Sequence, residues 1–174
     1  MLRVRIGSTV RAVLCQVCGL DPEYVDKRIS TIFLDGKPVD DVDKAAVKEG
    51  SVIALSAAMP GFVGAALRKG GFYAAMRGSI TYVEDSKGSP TGEGTIVLKL
   101  YNMLIKELGP GFLNRGILLP SEDLENFFKG RSEAFWNGCK AARLDGKTLT
   151  RSDLEKSKWA GNSPLTMLTV QASG

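Results

Sequence analysis

The feature that most constrains the fold of this chain is an internal repeat. Leu34-Asp35-Gly36-Lys37 is followed by the apolar run Val52 to Leu55, and Leu144-Asp145-Gly146-Lys147 is followed by the apolar run Leu165 to Val170. Self-similarity over such a distance indicates two copies of one supersecondary unit. A chain of 174 residues is long enough to build two small hydrophobic cores. The repeat therefore predicts two compact units in tandem.

A segment with helical periodicity precedes each copy of the motif. In the first copy it runs from Ser8 to Leu20, and in the second from Gly94 to Leu108. The apolar positions of the first segment are Val10, Val13, Leu14 and Val17. This spacing places them on one face of a helix, and Pro22 and the Gly109-Pro110 pair supply the stops. We expect one helix in each copy.

The Asp-Gly pair in each motif is typical of a two-residue β-turn, because both residues tolerate positive φ. Leu2 to Ile6 alternates apolar and basic residues, which predicts a half-buried strand before the first helix. Strand, helix, hairpin and apolar strand follow one another in the order of the β-grasp fold. We therefore predict an α+β protein of two tandem β-grasp (ubiquitin-like) units, 1–66 and 70–174, each with a mixed sheet packed on a helix. A helical insertion over 110–139 enlarges the second unit.

Three segments of the first unit carry a resemblance to a known family: Thr9-Val10-Arg11-Ala12-Val13-Leu14, Phe33-Leu34-Asp35-Gly36-Lys37-Pro38-Val39 and Val47-Lys48-Glu49-Gly50-Ser51-Val52-Ile53-Ala54-Leu55. They resemble the ThiS/MoaD-type sulfur carriers, a branch of the ubiquitin-like β-grasp proteins. The resemblance implies a hairpin before the helix, whereas this chain has only Leu2 to Ile6 there. We expect the first sheet to be a strand short or to take one from the second copy.

The resemblance also implies a carrier that acts through a free carboxy-terminal Gly-Gly, which is adenylated and thiolated. Here the matching position reads Ala57-Ala58-Met59-Pro60-Gly61, and the chain continues beyond it. Gly70 and Gly71 would become such a tail after cleavage, and Gly174 ends the chain with a single glycine. The Gly70-Gly71 pair is more typical of a joint between two units. A sulfur carrier or ubiquitin-like modifier is thus the alternative function.

The cysteines are candidate metal or redox residues. Cys15 and Cys18 have a helical i, i+3 spacing, and Cys139 could supply a third thiolate. When the two copies are aligned, however, Cys15 and Cys18 fall opposite Tyr101 and Leu104. Large apolar residues at these positions favour packing, in which a reduced cysteine behaves as a small hydrophobe. We predict no cofactor, and a thiol-based metal or redox protein is the third hypothesis for the function.

Aromatic residues concentrate in the insertion, and the candidates for partner binding are Phe127, Phe128, Phe135 and Trp136. Aromatic side chains supply a large contact area at a small cost in conformational entropy. The competing interpretation is a local core over the sheet, since packing is the usual role of such residues.

Composition excludes several classes of function. The chain has no histidine, so Ser-His-Asp and Cys-His catalysis are excluded. The net charge of +4 comes from scattered pairs such as Arg3 and Arg5, which argues against a dedicated nucleic-acid binder. The amino terminus lacks the apolar run of a secretory signal, and the weakly apolar stretch from Ile53 to Leu67 is too short to span a membrane.

These observations predict a cytoplasmic, non-enzymatic protein with no membrane partner. Its expected role is that of an adaptor, which presents sheet edges or the insertion to another protein.

Overall fold

A computed structural model of the chain describes residues 1–83, 92–156, 158–161 and 163–172, and it shows a mixed α+β protein. Its contacts divide the chain into two compact units, residues 1–110 and 111–174. The repeat predicts a division between residues 66 and 70 instead. The difference arises from residues 92–101, which are hydrogen-bonded into the sheet of the first unit.

The first unit is built on a five-stranded mixed sheet in the order β1-β5-β4-β2-β3. Its strands are β1 (Leu2–Ile6), β2 (Thr31–Leu34), β3 (Lys37–Pro38), β4 (Val52–Ser56) and β5 (Gly92–Tyr101). Its helices are α1 (Val10–Ala12), α2 (Pro22–Lys27), α3 (Gly61–Leu67) and α4 (Met103–Arg115), which contains the division point. A π-helical turn over Val13–Val17 continues α1, and a 3-10 helix covers Phe72–Ile80.

Strand β5 lies inside this sheet, between β1 and β4. It pairs antiparallel with β1, with Leu2 opposite Ile96, and parallel with β4, with Val52 opposite Val97. The expectation that the first sheet takes a strand from beyond residue 70 is confirmed. The helix predicted from Gly94 is wrong over this stretch, because the backbone is paired on both sides and the helix begins only at Met103.

The helical segment after β1 contributes to the core of the first unit. Val10, Val13 and Leu14 are fully buried as predicted, but Val17 is 45% exposed and Cys18 is 1% exposed. The cause is the π turn, in which the N–H of Cys18 donates to the carbonyl of Val13, five residues back. The wider turn brings Cys18, in place of Val17, to the buried face.

Both Leu-Asp-Gly-Lys motifs form the predicted hairpin turn. Asp35 and Gly36 have φ of 51° and 80°, and Asp145 and Gly146 have φ of 48° and 81°. Positive φ at both central residues defines the tight turn that matches the twist of the flanking strands. The first turn joins β2 to β3, and the second turn joins β7 (Ala142–Leu144) to β8 (Lys147–Leu149).

The second unit contains short strands and helices. Its remaining strands are β6 (Ile117–Pro120) and β9 (Leu165–Leu168), and its helices are α5 (Ser121–Phe128), α6 (Glu133–Gly138) and α7 (Arg151–Glu155). The strands form two antiparallel pairs, β6 with β9 and β7 with β8. These pairs differ from the single mixed sheet expected from the repeat, because β5 belongs to the first unit.

The connection between β4 and β5 includes α3 and the 3-10 helix. Lys69 N–H donates to the Ser30 carbonyl (2.8 Å), and the buried guanidinium of Arg77 donates to Asp40 (2.5 Å). The connection exposes large apolar side chains, with Phe72 at 92% and Met76 at 68%. Within the part of the chain that the structure describes, every helix is too short or too polar to cross a bilayer.

Candidate functional site

The predicted binding residues of the insertion come together in one aromatic cluster, formed by Phe127, Phe128, Phe135, Trp136 and Trp159. Neighbouring ring centroids lie 5.1 to 6.3 Å apart, the range of favourable edge-to-face and offset packing. Four of these residues are those that the sequence predicts, and Trp159 joins them from a more distant part of the chain.

Local sequence explains how α5 and α6 bring their aromatic side chains together. Helix α5 ends at Phe128, and Gly130 (φ 67°) permits a left-handed turn directly after it. Ser132 then caps α6, its Oγ accepting from the Phe135 N–H (3.3 Å). The adjacent Phe127 and Phe128 at the end of α5 thus meet Phe135 in the first turn of α6.

A buried carboxylate, that of Glu125, binds the backbone next to Trp159. Glu125 is 8% exposed, and its Oε1 accepts from the Ala160 N–H (3.1 Å). Backbone N–H groups of Lys158 and Ala160 lower the pKa of Glu125. The carboxylate therefore stays ionised and holds residues 158–161 beside α5. This contact joins residues that are far apart in the sequence, so nothing local in the sequence predicts the position of Trp159.

The cluster has a buried base and an exposed rim. Trp136 is 8% exposed and Phe128 is half-buried, whereas Phe127 is 44% exposed and Phe135 is 37% exposed. The cluster is therefore neither fully buried nor fully exposed. Trp136 acts as local core, while Phe127 and Phe135 present apolar area to solvent.

Two arginines flank the rings, and they differ in their electrostatic surroundings. The Arg131 guanidinium carbon lies 4.6 Å from the Phe127 ring centroid, and Arg151 lies 5.5 Å from that of Trp136. Arg151 pairs with Glu133 (2.6 Å) and Glu155 (2.9 Å), and these hydrogen bonds raise its pKa. Arg131 makes no ion pair with a carboxylate among the described residues. The rim therefore joins apolar area to Arg131, a cation that no described carboxylate pairs with.

An open cavity of about 290 Å³ adjoins the buried side of the cluster. Its lining includes Trp136, Cys139, Lys140, Arg151 and Leu154. Cys139 is exposed, and its Sγ lies 3.8 Å from the Ala141 carbonyl oxygen. The third candidate thiol thus borders this cavity.

The other cysteines lie in the first unit, where Cys15 is half-buried and Cys18 is buried. Among the residues that the structure describes, no three His, Cys, Asp or Glu side chains are grouped to hold a metal ion.

Two of the three glycines of the alternative carrier tail lie within the first unit. Gly70 lies in a turn at φ 59°, where its N–H donates to Asp40 (2.9 Å), and the Gly71 N–H donates to the Arg68 carbonyl (3.1 Å). Both glycines are thereby integrated into the first unit. Gly174 lies outside the described residues.

Comparison of the chain with protein-family models, with curated proteins and with solved structures finds no significant match.

Proposed function

We propose that this protein is a non-enzymatic adaptor, which binds another protein through the exposed rim of the aromatic cluster. The observation that carries the proposal is that the rings of Phe127 and Phe135 are packed against each other and yet partly exposed to solvent. Their rings are held against each other at 5.8 Å, yet they remain 44% and 37% exposed. A partner that covers them would bury apolar area without having to order the side chains first.

Preorganisation is the physical advantage of this rim. Immobilising a side chain on binding costs about 0.5 to 1.5 kcal/mol, and rings already fixed by neighbours avoid part of that cost. Aromatic residues surrounded by less important contacts are the usual anchors of protein interfaces. Arg131 adds a cation at the edge of Phe127, and this favours a partner with a carboxylate beside its apolar contact.

We also propose that the first unit is a β-grasp module completed by β5. The order of strand, helix, Asp-Gly hairpin and apolar strand supports this proposal, as does the pairing of β4 with a parallel neighbour. The tandem duplication remains a prediction. The matching φ values of the two Asp-Gly turns support it.

The test compares two rim variants, Phe127→Ala and Phe135→Ala, with Met167→Ala, which truncates a 63% exposed apolar residue elsewhere in the second unit. Proteins captured from native extract by the unmodified chain are identified by mass spectrometry, and the purified candidate is titrated against each variant. Each rim variant should lose on the order of 2 kcal/mol of binding, about 30-fold in Kd. The Met167→Ala control should bind as the unmodified chain does.

Deleting residues 172–174 should leave capture unchanged under this proposal. If the deletion abolishes capture while the rim variants affect only stability, the carrier alternative replaces it. A thiocarboxylate in the intact mass of the native protein would have the same meaning.

A further inference from the structure

We infer that β1 is a docking edge for an extended acidic peptide, which adds to the sheet of the first unit as a further strand. This inference goes beyond the adaptor proposal and concerns a different surface. It rests on the direction of the backbone groups of β1 and on the charges that β1 carries.

The hydrogen bonds of β5 show which backbone groups of β1 point away from β5, towards the open edge of the sheet. The Thr95 N–H donates to the Glu49 carboxylate (3.0 and 3.2 Å), and the Thr95 carbonyl accepts from the Gly50 N–H (2.9 Å). Thr95 therefore turns both backbone groups towards β4 and away from Arg3, its partner in register. In an antiparallel pair, residues opposite each other alternate between bonded and non-bonded, so Arg3 and Thr95 form a non-bonded pair.

The outward backbone groups of β1 are therefore the N–H and C=O of Arg3 and the N–H of Arg5. Within the described part of the chain, no backbone hydrogen bond reaches these three groups from outside the sheet. The Arg5 carbonyl accepts from the Ser8 N–H (3.2 Å), and the Gly7 N–H donates to the Val47 carbonyl (2.9 Å). The open edge is thus short and ends where the chain turns at Gly7.

The side chains beside this edge are cationic. Arg3 and Arg5 are exposed and lie on the same face of the sheet, and neither forms an ion pair with a described carboxylate. Lys99 of β5 is exposed on that face as well, and Glu93, an acidic residue, lies opposite Arg5. Unpaired edge strands attract other strands, and charges on the edge decide which strands are accepted. Two arginines exclude basic segments and favour acidic ones.

The alternation of β1 specifies the pattern of the peptide. The side chains of Arg3 and Arg5 lie on the solvent-exposed face of the sheet. Those of Leu2, Val4 and Ile6 lie on the opposite face, towards the core. Side chains of an added strand follow the same period of two. The fitting ligand carries acidic residues at alternate positions, beside the arginines, with apolar residues between them. Main-chain hydrogen bonds provide affinity and the alternate side chains provide specificity.

The probe for this edge is a fluorescein-labelled peptide of about eight alternating valine and glutamate residues, a length within the usual range of strands. Fluorescence anisotropy with the full-length protein should show saturable binding that weakens as salt is raised. A matched peptide of alternating valine and lysine should not bind. Equal binding of both peptides, or of neither, would overturn the inference.

Matched charge reversals locate the site. Arg3→Glu combined with Arg5→Glu should weaken binding on the order of tenfold, since two exposed ion pairs become repulsive. Arg143→Glu combined with Lys147→Glu changes the net charge equally on an exposed hairpin of the second unit and should leave Kd within about twofold. Equal effects of the two double variants would overturn the inference, because attraction would then follow net charge alone.

Three further measurements do not depend on whether the charge-reversed protein folds. The conservative pair Arg3→Lys and Arg5→Lys should retain binding. Peptides N-methylated at either set of alternate residues should differ, because only one set can face the edge; similar binding of both methylated forms would overturn strand addition. Phe127→Ala should bind the probe normally, which separates this inference from the adaptor proposal.

Discussion

At the scale of single residues, the clearest electrostatic feature is the contact of Glu107 on α4 with α2 and the residue that follows it. Tyr24 Oη donates to Glu107 (2.6 Å), and the Arg28 guanidinium pairs with the same carboxylate. The hydrogen bond from Arg28, followed by that from Tyr24, lowers the pKa of Glu107 to about 2. Burial, followed by the hydrogen bond to Glu107, raises the pKa of Tyr24 to about 12.

These shifts predict how stability changes with pH. A lowered pKa in the folded state means that Glu107 stabilises the protein above its ordinary pKa of 4.5 and loses this contribution as pH falls towards 2. The raised pKa of Tyr24 acts on the alkaline side, where its contribution is complete below pH 10 and lost as pH rises through 12. Urea unfolding of Glu107→Gln should therefore show a flatter acid limb than the unmodified chain. Glu122→Gln, at an exposed position of α5, serves as the control, and the same flattening in both variants would contradict the prediction.

At the same scale, the grouping of four aromatic residues could be predicted from the sequence because its signal is local. Phe127, Phe128, Phe135 and Trp136 stand close together in sequence, and they meet because Ser132 starts a new helix between them. Trp159 could not be predicted, since its place depends on a buried glutamate far away in sequence.

At the scale of elements, β5 shows why periodicity alone misassigned a segment. Ile96, Leu100 and Leu104 are four residues apart, which fits one face of a helix. Ile96 and Leu104 are indeed both fully buried, but one lies in a strand and the other in a helix. Hydrogen bonding to β1 and β4 decided the structure, and those partners lie far away in sequence. The Asp-Gly turns were predictable because their geometry depends on two adjacent residues.

Glycines of β5 provide a test of its central position. A Cβ at Gly94 would lie 2.6 Å from Ile6 Cδ1. It would also collide with the Glu49 carboxylate, which accepts a hydrogen bond from the Thr95 N–H. Gly94→Ala should therefore cost about 1 to 3 kcal/mol of unfolding free energy, the usual range for overpacking. Gly92→Ala is the matched control, because a Cβ there meets nothing within 4 Å. Urea unfolding measures both, and equal costs would mean that β5 does not pack as described.

At the scale of the whole molecule, the unit that folds should be longer than the unit that the repeat suggests. Among the described strands, β1 pairs with β5 and with no other, and β5 lies between β1 and β4 in the sheet. A fragment of residues 1–66 leaves β1 without a partner and one edge of β4 open. We expect this fragment to lack a cooperative urea transition, and a fragment of residues 1–116 to show one with a slope of about 1 to 3 kcal/mol/M. Cooperative unfolding of the shorter fragment would contradict the division after Pro110.

The central position of β5 also sets an order of events during synthesis. The ribosome makes β1 to β4 first, and the strand that joins them emerges only when residues 92–101 leave the exit tunnel. Until then the nascent chain exposes the unpaired edge of β4, to which chaperones and other nascent chains can bind. Closure of the sheet is therefore late and depends on contacts between distant residues, which predicts slow folding. A translational pause before residue 92 would lengthen the vulnerable interval, whereas a pause after residue 101 would let the first unit fold before the second is complete.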